Sequence, residues 1–443
     1  MLNELKYRTI SLGQVAAIIM GQSPPGSTYN EIGEGLPFYQ GVADFSLRYP
    51  VRRVYCTTPT RTAESGDILV SVRAPIGRVN RAVEKCAVGR GLAIVRAKED
   101  IDNIYIEFFL RSVANIWDTL ESQGSVFGNA KREDLEKLEI VWPPRSIRYG
   151  IAHILGTLDD KIELNRQMNE TLEAIARAVF KSWFVDFDPV IDNALRAGNP
   201  IPGTLAEKAA RRREMLARAK AEGHDSCFPK HIADFFPDRF VDPELGAIPA
   251  GWSVGTIGDL AEHPRRGVRP KEIVKSTPYI ALEHMQKHCI ALSEWGVAGA
   301  IASNKFEFKR GEILFGKLRP YFHKVGVAPI DGVCSTDIVV IAPKAEIWFG
   351  FVLGHVSSDA FVEYTSAGST GTKMPRTSWS DMARYNVVMP PEHIAAAFTT
   401  WIQPSIDKII QSIHVSRTLA ALRNALLPKL ISGEVRLKNA EDF

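Results

Sequence analysis

The 443-residue chain has only five cysteines, Cys56, Cys86, Cys227, Cys289 and Cys334, and no two form a CxxC pair. An odd, scattered set argues against a disulfide framework and against a four-thiolate metal site, and it suits a reducing cytoplasm. Apolar runs are short. None approaches the 18 residues of a membrane span, and Met1–Lys6 lacks the apolar stretch of a signal peptide. Neither sign of charge dominates. With Lys and Arg at 54 against Asp and Glu at 51, the net charge is +3, so a nucleic-acid partner requires basic residues gathered on one face. Catalytic motifs are equally scarce. Asn199–Pro202 and Trp142–Arg145 fail the Asn/Asp-Pro-Pro-aromatic pattern of adenine methyltransferases. Gly311–Leu318 imitates a phosphate-binding loop until Leu318 stands where a Mg²⁺-binding Ser or Thr is needed. His284, His288 and Cys289 have spacing that could suit zinc, but no fourth ligand cluster accompanies them, and a plain surface or core role is expected.

What the chain does have is a second copy of itself. Asp160-Lys161-Ile162 recurs as Asp407-Lys408-Ile409, Thr171-Leu172 as Thr418-Leu419, and Val141, Pro143, Pro144 and Ile147 as Val388, Pro390, Pro391 and Ile394, all at one offset of 247 residues. Looser matches precede them: Gly66–Leu69 with Gly311–Leu314, Pro75 with Pro320, and Gly124-Ser125 with Gly368-Ser369. The chain therefore reads as globular unit, helix, linker, globular unit, helix. Short apolar runs between Gly/Pro turns make the globular units β-rich.

After each Pro-Pro pair the apolar period changes from 2 to about 3.5. Ile151, Leu155, Leu158, Ile162, Asn165, Asn169, Leu172, Ala176, Val179 and Trp183 follow a heptad seam with two polar positions. In the second copy Ile402, Ile406, Ile409 and Ile413 precede Leu419, Leu422, Leu426 and Leu430, with a break in register between the groups. Two matching helices favour antiparallel pairing with one another. At about 34 residues each would be a rod of roughly 50 Å, or about 15 base pairs of duplex. The expected fold is α+β: two β-rich recognition domains joined by two long antiparallel coiled-coil helices in a pseudo-twofold repeat. The segments are 1–145, first domain; 146–187, central helix; 188–250, linker with a basic helical run that includes Arg211-Arg212-Arg213; 251–391, second domain; and 392–443, second helix.

Several strings resemble one family. Ile151–Asn165 (IAHILGTLDDKIELN) and Ala178–Phe187 are similar to the central constant region of Type I restriction-modification specificity subunits. Leu245–Trp252 resembles that family's entry into its second target-recognition domain, Leu426–Glu434 its C-terminal constant region, and Gly21–Pro25 its opening of the first domain. The resemblance implies a non-catalytic subunit whose two domains each read half of a bipartite site in double-stranded DNA. It implies docking of two modification (adenine methyltransferase) subunits on the helices, with restriction (endonuclease/translocase) subunits joining them in a prokaryotic cytoplasm. No cofactor or metal is expected on this chain; S-adenosylmethionine, ATP and Mg²⁺ would belong to the partners. A stand-alone DNA-binding regulator and a coiled-coil adaptor are the competing readings.

Base edges are read by Arg, Lys, Gln or Asn on loops, and phosphates by positive charge and backbone N–H groups. The candidates are Gln22, Ser23, Tyr39, Gln40, Arg73, Arg78, Asn129, Lys131 and Arg132 in the first domain. In the second they are Arg265, Arg266, Arg269, Lys271, Lys317, Arg319, Lys373 and Arg376. Arg73 and Arg319 stand out because each lies beside a proline of the duplicated block, Pro75 and Pro320.

Overall fold

The computed structural model describes residues 7–113, 117, 129–221, 228–241, 246–299, 303–369 and 374–437. The chain divides into two compact units, Met1–Leu164 with Thr418–Phe443, and Asn165–Arg417. Each is a mixture of strands and helices, and each holds part of both long helices.

In the first unit β1 (Arg8–Ser11) pairs antiparallel with β11 (Glu139–Trp142). A four-stranded sheet of β2 (Ala16–Met20), β10 (Leu92–Ala97), β7 (Ile68–Ser71) and β8 (Val79–Arg81) packs beside a five-stranded one. The latter runs β3 (Tyr29–Asn30), β5 (Val54–Cys56), β4 (Leu36–Tyr39), β9 (Cys86–Val88) and β6 (Thr62–Ala63). Strands β7 and β10 are apolar at nearly every position because both faces are covered. Successive side chains alternate between faces. Ile68, Val70, Ala93 and Val95 enter a core with the helix Asn103–Ser112, while Leu69, Leu92 and Ile94 meet Tyr39, Cys86 and Val88.

The second unit repeats this plan. A hairpin of β12 (Phe240–Val241) and β13 (Ile248–Pro249) comes first, and then β14 (Ser253–Thr256) pairs with β24 (Asn386–Met389). The four-stranded sheet runs β15 (Ala261–Glu262), β23 (Ile338–Pro343), β20 (Ile313–Gly316) and β21 (Val325–Val327). The five-stranded one runs β16 (Gly267–Val268), β19 (Lys305–Phe308), β22 (Gly332–Cys334), β17 (Pro278–Ile280) and β18 (Gly296–Val297). In both units a short strand pairs parallel with its neighbour, β9 with β4 and β22 with β17. The two-sided sorting also recurs: Ile313, Phe315, Val339 and Ile341 face one core, Leu314, Ile338 and Val340 another. Residues 188–250, read from sequence as a linker, belong to this unit. Val190, Phe236 and Trp252 are buried with Trp183 and Phe187 in its main core. The Arg211–Arg213 run splits accordingly: Arg212 is buried in a forked ion pair with Asp192, and its neighbours are exposed.

The long helices are Arg145–Phe184 and Glu392–Ser432, 40 and 41 residues, longer than the sequence reading allowed because both begin immediately after the Pro-Pro pairs. Their pairing is antiparallel. Within the second unit Asn165 Nδ2 donates to Ser416 Oγ at 3.1 Å while Phe180 packs at a tilt against Phe398, with ring centroids 6.0 Å apart. Ile402, Ile406, Ile409 and Ile413 are buried there, Asn165 and Asn169 are buried polar positions, and Leu172, Ala176 and Val179 are half-buried. In the first unit Ile151 and Leu155 share a core with Leu427, Leu430 and Ile431, and Leu426 packs against it. Leu158, Ile162 and Leu419 are half-buried. Leu422 departs from the seam and is 47% exposed. The register break places Arg423 toward the partner helix instead, where its guanidinium meets buried Asp159 at 2.5 Å.

Candidate nucleic-acid interface

In the first unit, the turn between β9 and β10 gathers the polar residues singled out from the sequence. Gln22 N–H donates to Val88 O (3.0 Å), Arg90 N–H to Ser23 Oγ (3.2 Å) and Gln40 Nε2 to Ser23 Oγ (3.3 Å). The backbone approach is so close that only glycine fits. A Cβ on Gly21 would lie 2.2 Å from Gly89 O, and one on Gly91 2.2 Å from Gln40 O. From the other side Val72 N–H donates to Gly91 O and Ala130 N–H to Val72 O, both at 2.9 Å, and Arg73 forms a backbone bridge with Asn129. Gln22, Gln40, Arg73 and Asn129 are therefore exposed around one turn, with Ser23 half-buried as its brace. Arg78 is exposed on the loop after β7, tied by its N–H to Ser71 Oγ at 2.9 Å. Lys131 is exposed, and Arg132 is exposed but ion-paired with Glu136 at 2.7 Å.

Tyr39 is the first correction. It is 1% exposed, and burial raises its hydroxyl well above the usual phenol range, so it supports the turn from within and presents nothing to solvent. Arg90, at the exposed tip, is the residue sequence reasoning missed. The signal was available: Gly89 and Gly91 flank it at the end of an apolar strand.

The second unit builds the same backbone constellation. Lys317 N–H donates to Asp337 O (2.9 Å), Thr377 N–H donates to Lys317 O (3.1 Å), and Leu318 bridges Arg376. Position for position, Lys317 stands where the first unit has Val72, Leu318 where it has Arg73, Arg376 where it has Asn129, and Thr336 where it has Arg90. A cleft of 230 Å³ beside this point is lined by His263, Arg265, Lys317, Thr377, Ser378 and Trp379 among others. His263 was also missed. Burial lowers its pKa and its Nδ1–H donates to Val340 O at 2.8 Å, which leaves Nε2 as an acceptor. Arg265 is exposed in the left-handed region (φ 49°), Arg269 and Lys271 are exposed, and Arg376 is exposed with Asp337 at 3.3 Å.

Two second-domain candidates fare differently from expectation. Arg266 is half-buried and ion-paired with Glu312, which competes with a phosphate for it. Arg319 is half-buried, with φ 51° and its N–H donating to Pro375 O at 2.8 Å; it fixes the loop geometry. Lys373 lies outside the described residues. The string Gly311–Leu318 is a turn followed by strand β20 and opens no α-helix, unlike a phosphate-cradling loop.

Residues 4–174 match the Type I restriction modification DNA specificity domain. The chain is similar to Type I restriction-modification specificity subunits. The putative type I restriction enzyme MjaX specificity subunit of Methanocaldococcus jannaschii is 41% identical over 163 residues, covering 37% of this chain and 38% of that relative. The same organism's MjaIX specificity subunit is 26% identical over 391 residues, 85% of this chain and 79% of the relative. The crystal structure of a Type I restriction-modification system S subunit from M. genitalium aligns over 97% of both chains, with TM-score 0.56 and 13% identity, and so shares the fold of this family member.

Proposed function

We propose that this chain is the DNA-reading, non-catalytic subunit of a Type I restriction-modification complex, in which each β-rich unit reads one half of an asymmetric, bipartite site. The observation that carries the reading is the duplicated constellation around the β9–β10 and β22–β23 turns, where one backbone scaffold displays different side chains. Arg73, Arg90 and Asn129 in one copy are replaced by Leu318, Thr336 and Arg376 in the other. Arginine pairs bidentately with guanine O6 and N7, and asparagine with adenine N6 and N7. Equivalent loops with unlike donors would therefore select unlike half-sites. Two copies in one chain also suit the local twofold of duplex DNA. The long helices present the surface on which two modification subunits and, with them, restriction subunits would assemble in a prokaryotic cytoplasm, those partners carrying S-adenosylmethionine, ATP and Mg²⁺.

Co-expression with an adenine methyltransferase partner, followed by mapping of methylated adenines, is expected to reveal a split motif with two different halves. A contiguous motif, or none, would remove the reading and favour the stand-alone regulator or adaptor. Within this scheme Arg90→Ala is expected to weaken binding by about 1–3 kcal/mol and relax one position of the first half only. Lys131→Ala should instead weaken binding evenly across sequences and flatten its salt dependence. Fluorescence titration against single-base variants of the mapped site distinguishes the two behaviours.

A further inference from the structure

His288 was set aside on sequence grounds because its neighbours offer no complete ligand set. The fold brings it to two residues remote in the chain. The rings of His288 and His323 lie 4.4 Å apart at their centroids, and His323 Nδ1 is 3.2 Å from Asp359 Oδ1. One ligand atom from each of the three lies within 4.8 Å of the others, the one such grouping among the described residues.

Tautomer chemistry makes this more than proximity. His323 Nε2 is 2.9 Å from Ser357 O, and a carbonyl oxygen can only accept. Nε2 therefore carries a proton, and if the imidazole is neutral the lone pair of Nδ1 points at the Asp359 carboxylate. Two acceptors facing each other at that distance repel unless a metal ion lies between them or a second proton sits on Nδ1. A histidine that donates its second N–H to a backbone carbonyl while its other nitrogen meets a carboxylate and an imidazole has the outer-shell arrangement typical of metal ligands. Donors on a tetrahedral Zn²⁺, with bonds of about 2.0–2.2 Å, are roughly 3.3 Å apart. The His323–Asp359 separation already matches.

Backbone geometry supports a built site. His288 and His323 both hold positive φ, 53° and 49°, and His288 N–H donates to His323 O at 2.9 Å, which locks the two turns together. His323 is buried, whereas His288 and Asp359 are exposed, so an ion could enter from solvent and keep an open position for water.

We propose that His288, His323 and Asp359 form a binding site for a divalent transition-metal ion of the zinc class. Such an ion would staple three segments: the turn carrying His288, the turn after β20, and the first turn of the helix Asp359–Ala367. Two residues beyond His288, Ile290 N–H donates to the buried carboxylate of Glu173 on the first long helix at 3.0 Å. The staple would therefore also firm the attachment of this loop to the helix.

Calorimetric titration of the full chain with ZnCl₂ near neutral pH is expected to show one saturable site per chain, with Co²⁺ giving a visible ligand-field band. His288→Ala and Asp359→Asn, both at exposed positions, should each weaken binding at least about tenfold. His231→Ala, at an exposed histidine elsewhere in the unit, should leave it unchanged. Hydrogen exchange at Ile290 should slow when zinc is added. Absence of saturable binding, the result a protonated His323 paired with Asp359 would give, overturns the proposal, as does equal binding by parent and both variants.

Discussion

A variant lacking residues 166–169 of the first long helix and 412–415 of the second is expected to direct methylation to a site with unchanged half-sequences and a spacer about two base pairs shorter. The two deletions face each other, because Asn165 meets Ser416 and the helices run antiparallel. Four residues remove about 6 Å of rise, close to two steps of duplex at roughly 3.4 Å each. Four is also close to one full turn of about 3.6 residues, so the faces that carry Leu172, Ile402 and their neighbours would stay nearly in phase. Sequencing methylated adenines from cells that carry the shortened chain with its partners reads the spacer directly. An unchanged spacer with intact methylation would show that the helices do not measure the distance between half-sites.

Asp159→Asn is expected to destabilise the first unit by about 3 kcal/mol, the order of loss when one member of a buried ion pair is removed. Asp159 is 3% exposed and lies 2.5 Å from both Arg111, on the helix Asn103–Ser112, and Arg423, on the second long helix. Burial alone would raise its pKa, but the Arg111 charge and the hydrogen bond and charge of Arg423 outweigh it, and the net shift is downward. A carboxylate whose pKa is lower folded than unfolded adds stability above its unfolded value of about 4 and loses it as pH falls further. The parent should therefore lose its advantage over the variant progressively below about pH 4 and keep all of it at neutrality. With a slope of roughly 2–3 kcal/mol per molar urea, the neutral-pH midpoint should fall by about 1 M. Identical midpoints would mean that the three charges add nothing beyond their desolvation.

The repeat was legible because its strongest signal is chemical punctuation. Pro143-Pro144 and Pro390-Pro391 stop a strand and release a helix, and the apolar period changes across them. Burial of the isoleucines of the second helix follows from that spacing. Leu422 was misplaced because heptad counting sees apolarity and not a remote buried charge: Leu422 is exposed while its neighbour Arg423 reaches buried Asp159. The exposure of the candidate residues was legible only in part. Residue type alone selects Gln22, Gln40, Arg73 and Asn129, yet it also selects Tyr39, whose strand turns it inward. Arg90 escaped selection because its exposed position comes from the glycines on either side, and the burial of Arg266 against Glu312 was hidden because the two lie 46 residues apart in sequence. The His288–His323–Asp359 grouping depends on turns joined through tertiary structure and has no local spacing signature.

The first unit is assembled from the two ends of the described chain, with Leu427, Leu430 and Ile431 closing the core around Ile151 and Leu155. During synthesis on a ribosome those closing residues emerge only after the whole of Asn165–Arg417 has been made. The first unit must therefore wait, with its helix-facing apolar patch uncovered, until the second unit has had time to fold. A premature stop shortly after Arg417 would strand the first unit while sparing the second, so survival of the first in the cell would be set by the turns of helix that follow Arg417.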